Sequence, residues 1–191
     1  MGSDKTPRAD EVGATRTVGV PELVRIKVTT MGDGGVGKSC LIKRYCEERF
    51  VSKYITTVGV DYGVKTVDVG GLEVRVNFWD LSGQPEFFDV RNEFYKDTQG
   101  ALLVFDLSSR KSFDSLETWL SEARRFGCSE RGSTFVLVGN KSDRKRVVSE
   151  AEAQGWARDK GFAYFETSAN TGVSVTEMFD SVFESVVKRG A

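Results

Sequence analysis

Short apolar runs recur along the chain from residue 23 onward. Leu23-Val24-Arg25-Ile26-Lys27-Val28 reads as a strand that leads into a glycine-rich loop. Ala101-Leu102-Leu103-Val104-Phe105 and Phe135-Val136-Leu137-Val138 are continuous apolar runs, as expected of strands buried on both faces of a parallel sheet. Val60 to Val69 and Leu72 to Trp79 read as two strands joined at Gly70-Gly71, a pair suited to a tight hairpin. Phe162–Phe165 is a further short strand. Between these runs the period lengthens. Lys38 to about Glu48 reads as a helix, and Phe113, Leu116, Leu120 and Ala123 give helical spacing across Ser112 to Phe126. Ser149 to Lys160 and Ser174 to Lys188 are the later helices. Strands alternating with helices predict a doubly wound α/β sheet covered on both faces. Residues 1–20, rich in Gly, Thr, Arg and Asp, show no apolar period and read as a flexible tail. Residues 21–191 then form one domain.

Composition narrows the functional classes. The chain has 191 residues, 39% hydrophobic and 29% charged, which suits a single globular domain with an ordinary core. Lys plus Arg is 27 and Asp plus Glu is 28, so the basic excess of a nucleic-acid binder is missing. There is no histidine. That excludes Ser-His-Asp and Cys-His nucleophilic machinery and any zinc site built on His. Acid–base chemistry falls to carboxylates, lysine, tyrosine or the substrate. Cys40, Cys46 and Cys128 are odd in number and lack CxxC spacing, which argues against a disulfide framework or a metal knuckle. Reduced thiols and a cytoplasmic location are expected. No apolar run reaches the ~18 residues of a transmembrane helix, and no secretory segment follows the start. Met1-Gly2-Ser3-Asp4-Lys5-Thr6 fits an N-myristoylation pattern and equally a cloning remnant. One such acyl chain gives only marginal membrane binding.

Gly32-Asp33-Gly34-Gly35-Val36-Gly37-Lys38-Ser39 matches G-x-x-x-x-G-K-[ST], with a strand before it and a helix after it. Backbone N–H groups from Gly34 to Cys40 are expected to cradle phosphate oxygens at the positive end of the helix. Lys38 is expected to bridge the β- and γ-phosphates, and Ser39 to give its hydroxyl to Mg²⁺. D-x-x-G occurs at Asp10, Asp68, Asp80 and Asp97. Only Asp80 ends a strand with buried-looking positions at Val74, Val76 and Phe78. Asp80 is expected to hold Mg²⁺ through water, and the Gly83 amide to meet the γ-phosphate. Asn140-Lys141-Ser142-Asp143 follows a strand, where α/β sheets place ligands. An aspartate there accepts two hydrogen bonds from guanine N1–H and the 2-amino group, which adenine cannot donate. Backbone in Glu166-Thr167-Ser168-Ala169 is expected to read the guanine O6.

With these four motifs in order, residues 22–189 resemble a Ras-superfamily small GTPase. Thr57-Val58-Gly59-Val60-Asp61-Tyr62, Ser112-Phe113 and Trp119-Leu120 resemble Rab, and the stretches 38–54 and 90–100 resemble the Rab-J-like (RJL, RBJ) group. The resemblance implies a P-loop NTPase G domain with a six-stranded, mostly parallel sheet and one antiparallel edge strand. It implies GTP or GDP with Mg²⁺ as ligands, and effectors, an exchange factor and an activating protein meeting two switch segments, about 51–62 and 83–96. It also implies residue roles: Phe50 stacks edge-on to the base, Tyr54 covers the phosphates, Thr57 binds Mg²⁺ and γ-phosphate, and Gln84 orients the attacking water. Lys38, Thr57 and Gln84 are then the catalytic set, and a monomer is expected.

The pattern departs from the family in three places. Pro85 follows Gln84 and biases it towards extended backbone. Asn170 stands where a lysine usually packs on the base. The chain stops at Lys188-Arg189-Gly190-Ala191, so neither prenylation nor a J domain is expected. No arginine lies between Phe50 and Tyr62, so no cis arginine finger is expected there. Two readings follow, a switch that hydrolyses GTP slowly and a GTP-binding module with negligible hydrolysis. A P-loop ATPase or kinase is the remaining alternative.

Overall fold

The computed structural model describes residues 23–50 and 55–190. The expected tail at 1–20 and the expected phosphate cover at Tyr54 lie outside the described residues. Six strands, β1 (Val24–Met31), β2 (Val60–Val69), β3 (Leu72–Leu81), β4 (Gly100–Asp106), β5 (Thr134–Asn140) and β6 (Ala163–Glu166), form one sheet in the order β2-β3-β1-β4-β5-β6. Every neighbouring pair is parallel except β2 and β3, so β2 is the antiparallel edge strand that the family resemblance implies. The helices are α1 (Lys38–Glu47), α2 (Phe88–Asn92, after a 3-10 turn at Pro85–Phe87), α3 (Arg110–Asp114), α4 (Leu116–Arg125), α5 (Glu150–Lys160) and α6 (Val175–Lys188).

Period-2 alternation along β4 explains why its sequence reads as an unbroken apolar run. Leu102 and Val104 enter a core with Leu41 and Tyr45 of α1 and with Phe179 and Phe183 of α6. Ala101, Leu103 and Phe105 enter a second core, on the other face, with Leu116, Trp119 and Leu120 of α4 and Ala153 and Ala157 of α5. Both faces of the strand are covered, so neither register is polar.

Three boundaries differ from the sequence reading. β1 continues past Val28 through Thr29 and Thr30, both fully buried. Their hydroxyls are satisfied by Thr98 Oγ1 at 2.8 Å and Asp80 Oδ1 at 2.9 Å, so burying them costs little. β3 runs on through Asp80 and Leu81, which places Asp80 inside the sheet opposite Thr30. The single helix expected over 112–126 is two, α3 and α4, broken at Ser115. The Ser115 hydroxyl lies within reach of both the Lys111 carbonyl, at 2.9 Å, and Asp33 Oδ2, at 3.0 Å. Such competition from a side chain within a helix bends it. Ser149 caps α5 through the Glu152 amide, as its position suggests, whereas Ser174 precedes α6 in a left-handed conformation without a side-chain cap.

The carboxyl ends of β1, β3, β5 and β6 lead into the four motif segments. All four segments therefore lie along one edge of the sheet, where doubly wound folds bind ligands.

Candidate functional site

The loop between β1 and α1 wraps around the Lys38 ammonium. Lys38 is only 6% exposed, and its Nζ donates to the carbonyls of Gly32 at 2.7 Å and Asp33 at 3.0 Å. An ammonium has three donors, so one remains for an anion. Burial pushes the group down to about 8, with the Asp80 and Asp33 carboxylates pulling back. Gly37 has φ 103°, and a Cβ there would lie 2.3 Å from Asn140 Nδ2. Left-handed backbone and a close neighbour together require glycine at this turn. The α1 N-terminus has no side-chain cap and no acidic residue in its first turn, so its first amides are free for an anion.

Beside the loop, Asp80 collects two hydroxyls. Its Oδ2 accepts from Ser39 Oγ and lies 3.3 Å from Thr57 Oγ1, while the two hydroxyls are 3.0 Å apart. Thr30 Oγ1 donates to the other carboxylate oxygen and fixes its orientation. Two hydroxyls and one carboxylate form a hard, all-oxygen donor set. That set suits Mg²⁺, which keeps several waters and takes few protein ligands, and does not suit zinc.

At the far end of the same cleft, Asn140 is 1% exposed and ties three segments together. Its Nδ2 donates to the Val36 carbonyl at 2.8 Å, and its Oδ1 accepts from Thr167 Oγ1 at 3.2 Å and the Ala169 amide at 3.3 Å. Lys141 spans from the Gly35 carbonyl, at 2.6 Å, to Asp106 Oδ2, at 2.7 Å. Asp143 accepts from Ser168 Oγ at 2.6 Å and Asn170 Nδ2 at 3.2 Å. Those two donors hold its carboxyl below the usual carboxylate range, Ser168 foremost. The carboxylate is thus ionised and aimed before any base arrives.

The cleft measures about 270 Å³ and runs from Gly34, Gly35, Gly37, Lys38, Ser39 and Cys40, past Thr57, Gly83 and Gln84, to Phe50, Asn140, Lys141, Asp143, Ala169 and Asn170. Thus residues from all four motifs border one cavity. Gly83 packs so tightly on the phosphate loop that a Cβ there would lie 2.3 Å from the Gly34 amide nitrogen. Gln84 has φ −84° and ψ 139°, the extended backbone that Pro85 favours. Two of the predicted positions also carry structural contacts. The Val36 side chain is buried in the core and contributes its carbonyl to Asn140. Ser168 is fully buried and orients Asp143 rather than lining the cleft.

Several participants carry no local signal in the sequence. Arg44 of α1 donates to the carbonyls of Ala169, at 2.8 Å, and Asn170, at 2.7 Å, across more than a hundred residues. Asp33 is held by Trp119 Nε1 at 2.7 Å and by Ser115. Lys43, Ile55, Thr56, Ser82 and Arg144 also line the cleft. A motif search finds residues close in sequence, and these partners meet only in the fold.

Comparison with known proteins agrees with this geometry. The model of the Ras family matches residues 27–188. DnaJ homolog subfamily C member 27 of Mus musculus is 51% identical over 170 residues, which cover 86% of this chain and 62% of that protein. The protein of that name from Homo sapiens is 52% identical over the same length and coverage. DnaJ homolog subfamily C member 27-B of Xenopus laevis is 47% identical over 176 residues, again 86% of this chain and 62% of the relative. The chain therefore spans 62% of the length of these relatives.

Proposed function

The chain belongs to the Ras family and is a guanine-nucleotide-binding switch domain, and we propose that it hydrolyses GTP slowly with Mg²⁺ held at Ser39, Thr57 and Asp80. One observation carries the proposal. A single cleft joins the buried Lys38 ammonium, the hydroxyl–carboxylate group, Gln84 and the pre-aimed Asp143. Asp143 accepts from guanine N1–H and the 2-amino group, backbone in 166–169 meets O6, and Phe50 and Asn170 flank the base. Tyr54, outside the described residues, is proposed to cover the phosphates as the family resemblance implies. Lys38 and the amides from Gly34 to Cys40 stabilise charge on the phosphate oxygens. Mg²⁺ held by Ser39, Thr57 and Asp80 would supply further charge neutralisation on the phosphates. Gln84 orients a water for in-line attack on the γ-phosphorus. The bond to the β-phosphate oxygen breaks, and GDP and inorganic phosphate leave. With no histidine in the chain, the water proton passes to a phosphate oxygen. Catalysis here is positioning and charge stabilisation. No arginine among the described residues lines the γ-phosphate end of the cleft, so the intrinsic rate is slow and an activating protein would supply the missing cation.

Protein partners are proposed to meet the segments that would order around the γ-phosphate. Ile55, Val58 and Val90 are exposed there, and Trp79 packs between Tyr62 and Phe94 in tilted pairs with ring centroids 4.7 and 4.9 Å apart. An exchange factor and effectors are the partners of such a surface. No described helix is long and apolar enough to cross a membrane. The acylation pattern at Met1–Thr6 lies outside the described residues.

A second reading, GTP binding with negligible hydrolysis, is favoured by the extended Gln84 backbone before Pro85. Single-turnover phosphate release from the GTP–Mg²⁺ complex decides between them. A slow rate abolished by Gln84→Leu supports the hydrolysing switch. No release from either protein supports the second reading. Displacement of bound GDP by excess ATP would overturn the guanine assignment.

A further inference from the structure

We propose that Arg91 is a positioning residue for Gln84, so that the geometry of the proposed hydrolytic site is set from helix α4 rather than by the switch segment itself. This rests on the reading of Gln84 as the water-orienting residue. Between Gly83 and Phe94 the chain is exposed or half-buried at every position but one. The exception is Arg91, a cation that is 5% exposed. All of its guanidinium nitrogens are spoken for. Nε and Nη2 form a fork on Glu122 of α4 at 2.6 and 2.8 Å, and Nη1 donates to the Gln84 carbonyl at 2.8 Å. The Tyr95 hydroxyl donates to Glu122 Oε1 at 2.7 Å and holds that carboxylate in place. The guanidinium also lies 4.5 Å from the Trp119 ring centroid. Trp119 in turn donates to Asp33 of the phosphate loop at 2.7 Å.

Three contacts in different directions leave the guanidinium no freedom to tilt. Its rigid fork matches a carboxylate in a way a lysine cannot. Buried ion pairs contribute little net stability, so this one is better understood as a device that fixes geometry. Pro85 sharpens the need, because residue 85 has no N–H with which to anchor the turn. The Gln84 carbonyl is held instead by Arg91 and, more loosely, by the Phe87 amide at 3.2 Å. Once that carbonyl and the extended backbone are fixed, so is the direction in which the Gln84 side chain leaves it. Phosphate loop and water-orienting residue then hang on the same helix, through Trp119 and Arg91.

The test is single-turnover GTP hydrolysis by full-length Arg91→Lys, which keeps the charge opposite Glu122 but loses the fork. Arg91→Met/Glu122→Leu, which removes both charges together, serves as a second variant. Each is expected to slow phosphate release at least about tenfold. Combination of Arg91→Lys with Gln84→Leu should lower any residual rate of Gln84→Leu no further, as for residues acting as a unit. GDP dissociation, which a folding defect would accelerate, should stay within about twofold of wild type. Wild-type hydrolysis by both Arg91 variants, or multiplicative losses in the combination, would overturn the proposal. If wild type itself releases no phosphate, the hydrolytic reading fails separately. The positioning role is then read from amide exchange of residues 82–90 in the GDP complex. Faster exchange in Arg91→Lys supports it, and unchanged exchange overturns it.

Discussion

Removal of the Asn140 side chain should uncouple the two halves of the cleft. Asn140→Ala deletes one hydrogen bond of 2.8 Å to the Val36 carbonyl and two longer ones, 3.2 and 3.3 Å, from Thr167 and the Ala169 amide. A typical bond contributes ~1 kcal/mol net, and a buried group left without a partner costs ~1–3 kcal/mol. The two long bonds belong at the lower end, so the expected total is about 2–4 kcal/mol. That is a large share of the ~5–15 kcal/mol by which a domain is stable. For a chain of this length it corresponds to a Tm lower by roughly 5–15 °C. Thr167→Val, which loses one of the three bonds, should cost about 1 kcal/mol. The assay is urea denaturation at several GDP concentrations, which separates the intrinsic loss from weaker ligand stabilisation. Fluorescent GDP release is measured in parallel and should accelerate, because Val36 and Ala169 no longer share a partner. A stability loss below about 1 kcal/mol with an unchanged denaturant slope, or unaltered GDP release, would refute the reasoning.

Gly83→Ala should fail to bring switch and phosphate loop together, since its Cβ would lie 2.3 Å from the Gly34 nitrogen and 2.4 Å from the Asp33 carbonyl carbon. Backbone atoms cannot yield as a side chain would, and GTP affinity measured by calorimetry should fall while GDP affinity changes less. Ser39→Asn should likewise weaken GTP and Mg²⁺ binding more than GDP binding, and equal losses of both nucleotides would contradict the metal role. Asp143 is held below the usual carboxylate range chiefly by Ser168. Guanine needs the ionised form, so binding persists in acid until the pH falls through that lowered value. Ser168→Ala lets the carboxyl rise towards its ordinary value. The acid loss of nucleotide affinity should therefore move to higher pH, and an unshifted profile would deny Ser168 this role.

Sequence alone determined what is local in this protein. The glycine loop before Lys38, Asn140 to Asp143 and the alternation that buries β4 on both faces are each encoded in contiguous residues, because backbone turns and strand periods are short-range requirements. Of the D-x-x-G aspartates among the described residues, Asp80 is the one whose carboxylate meets Ser39 and Thr57, whereas Asp68 lies at the hairpin turn, bonded to the Gly71 amide, and Asp97 has a left-handed backbone. The extended backbone of Gln84 followed from Pro85 for the same local reason. Long-range pairings were left to the tertiary structure. Thr29 and Thr30 look like the end of a strand, and become its interior only because Thr98 and Asp80 satisfy their hydroxyls. The α3–α4 break depends on Ser115 facing Asp33. Arg44, Trp119 and Arg91 look like ordinary helix residues in the sequence. Each is a structural tie only because sheet order brings its helix beside a loop far away in the chain, and a hydrogen bond across such a separation leaves no local pattern to read.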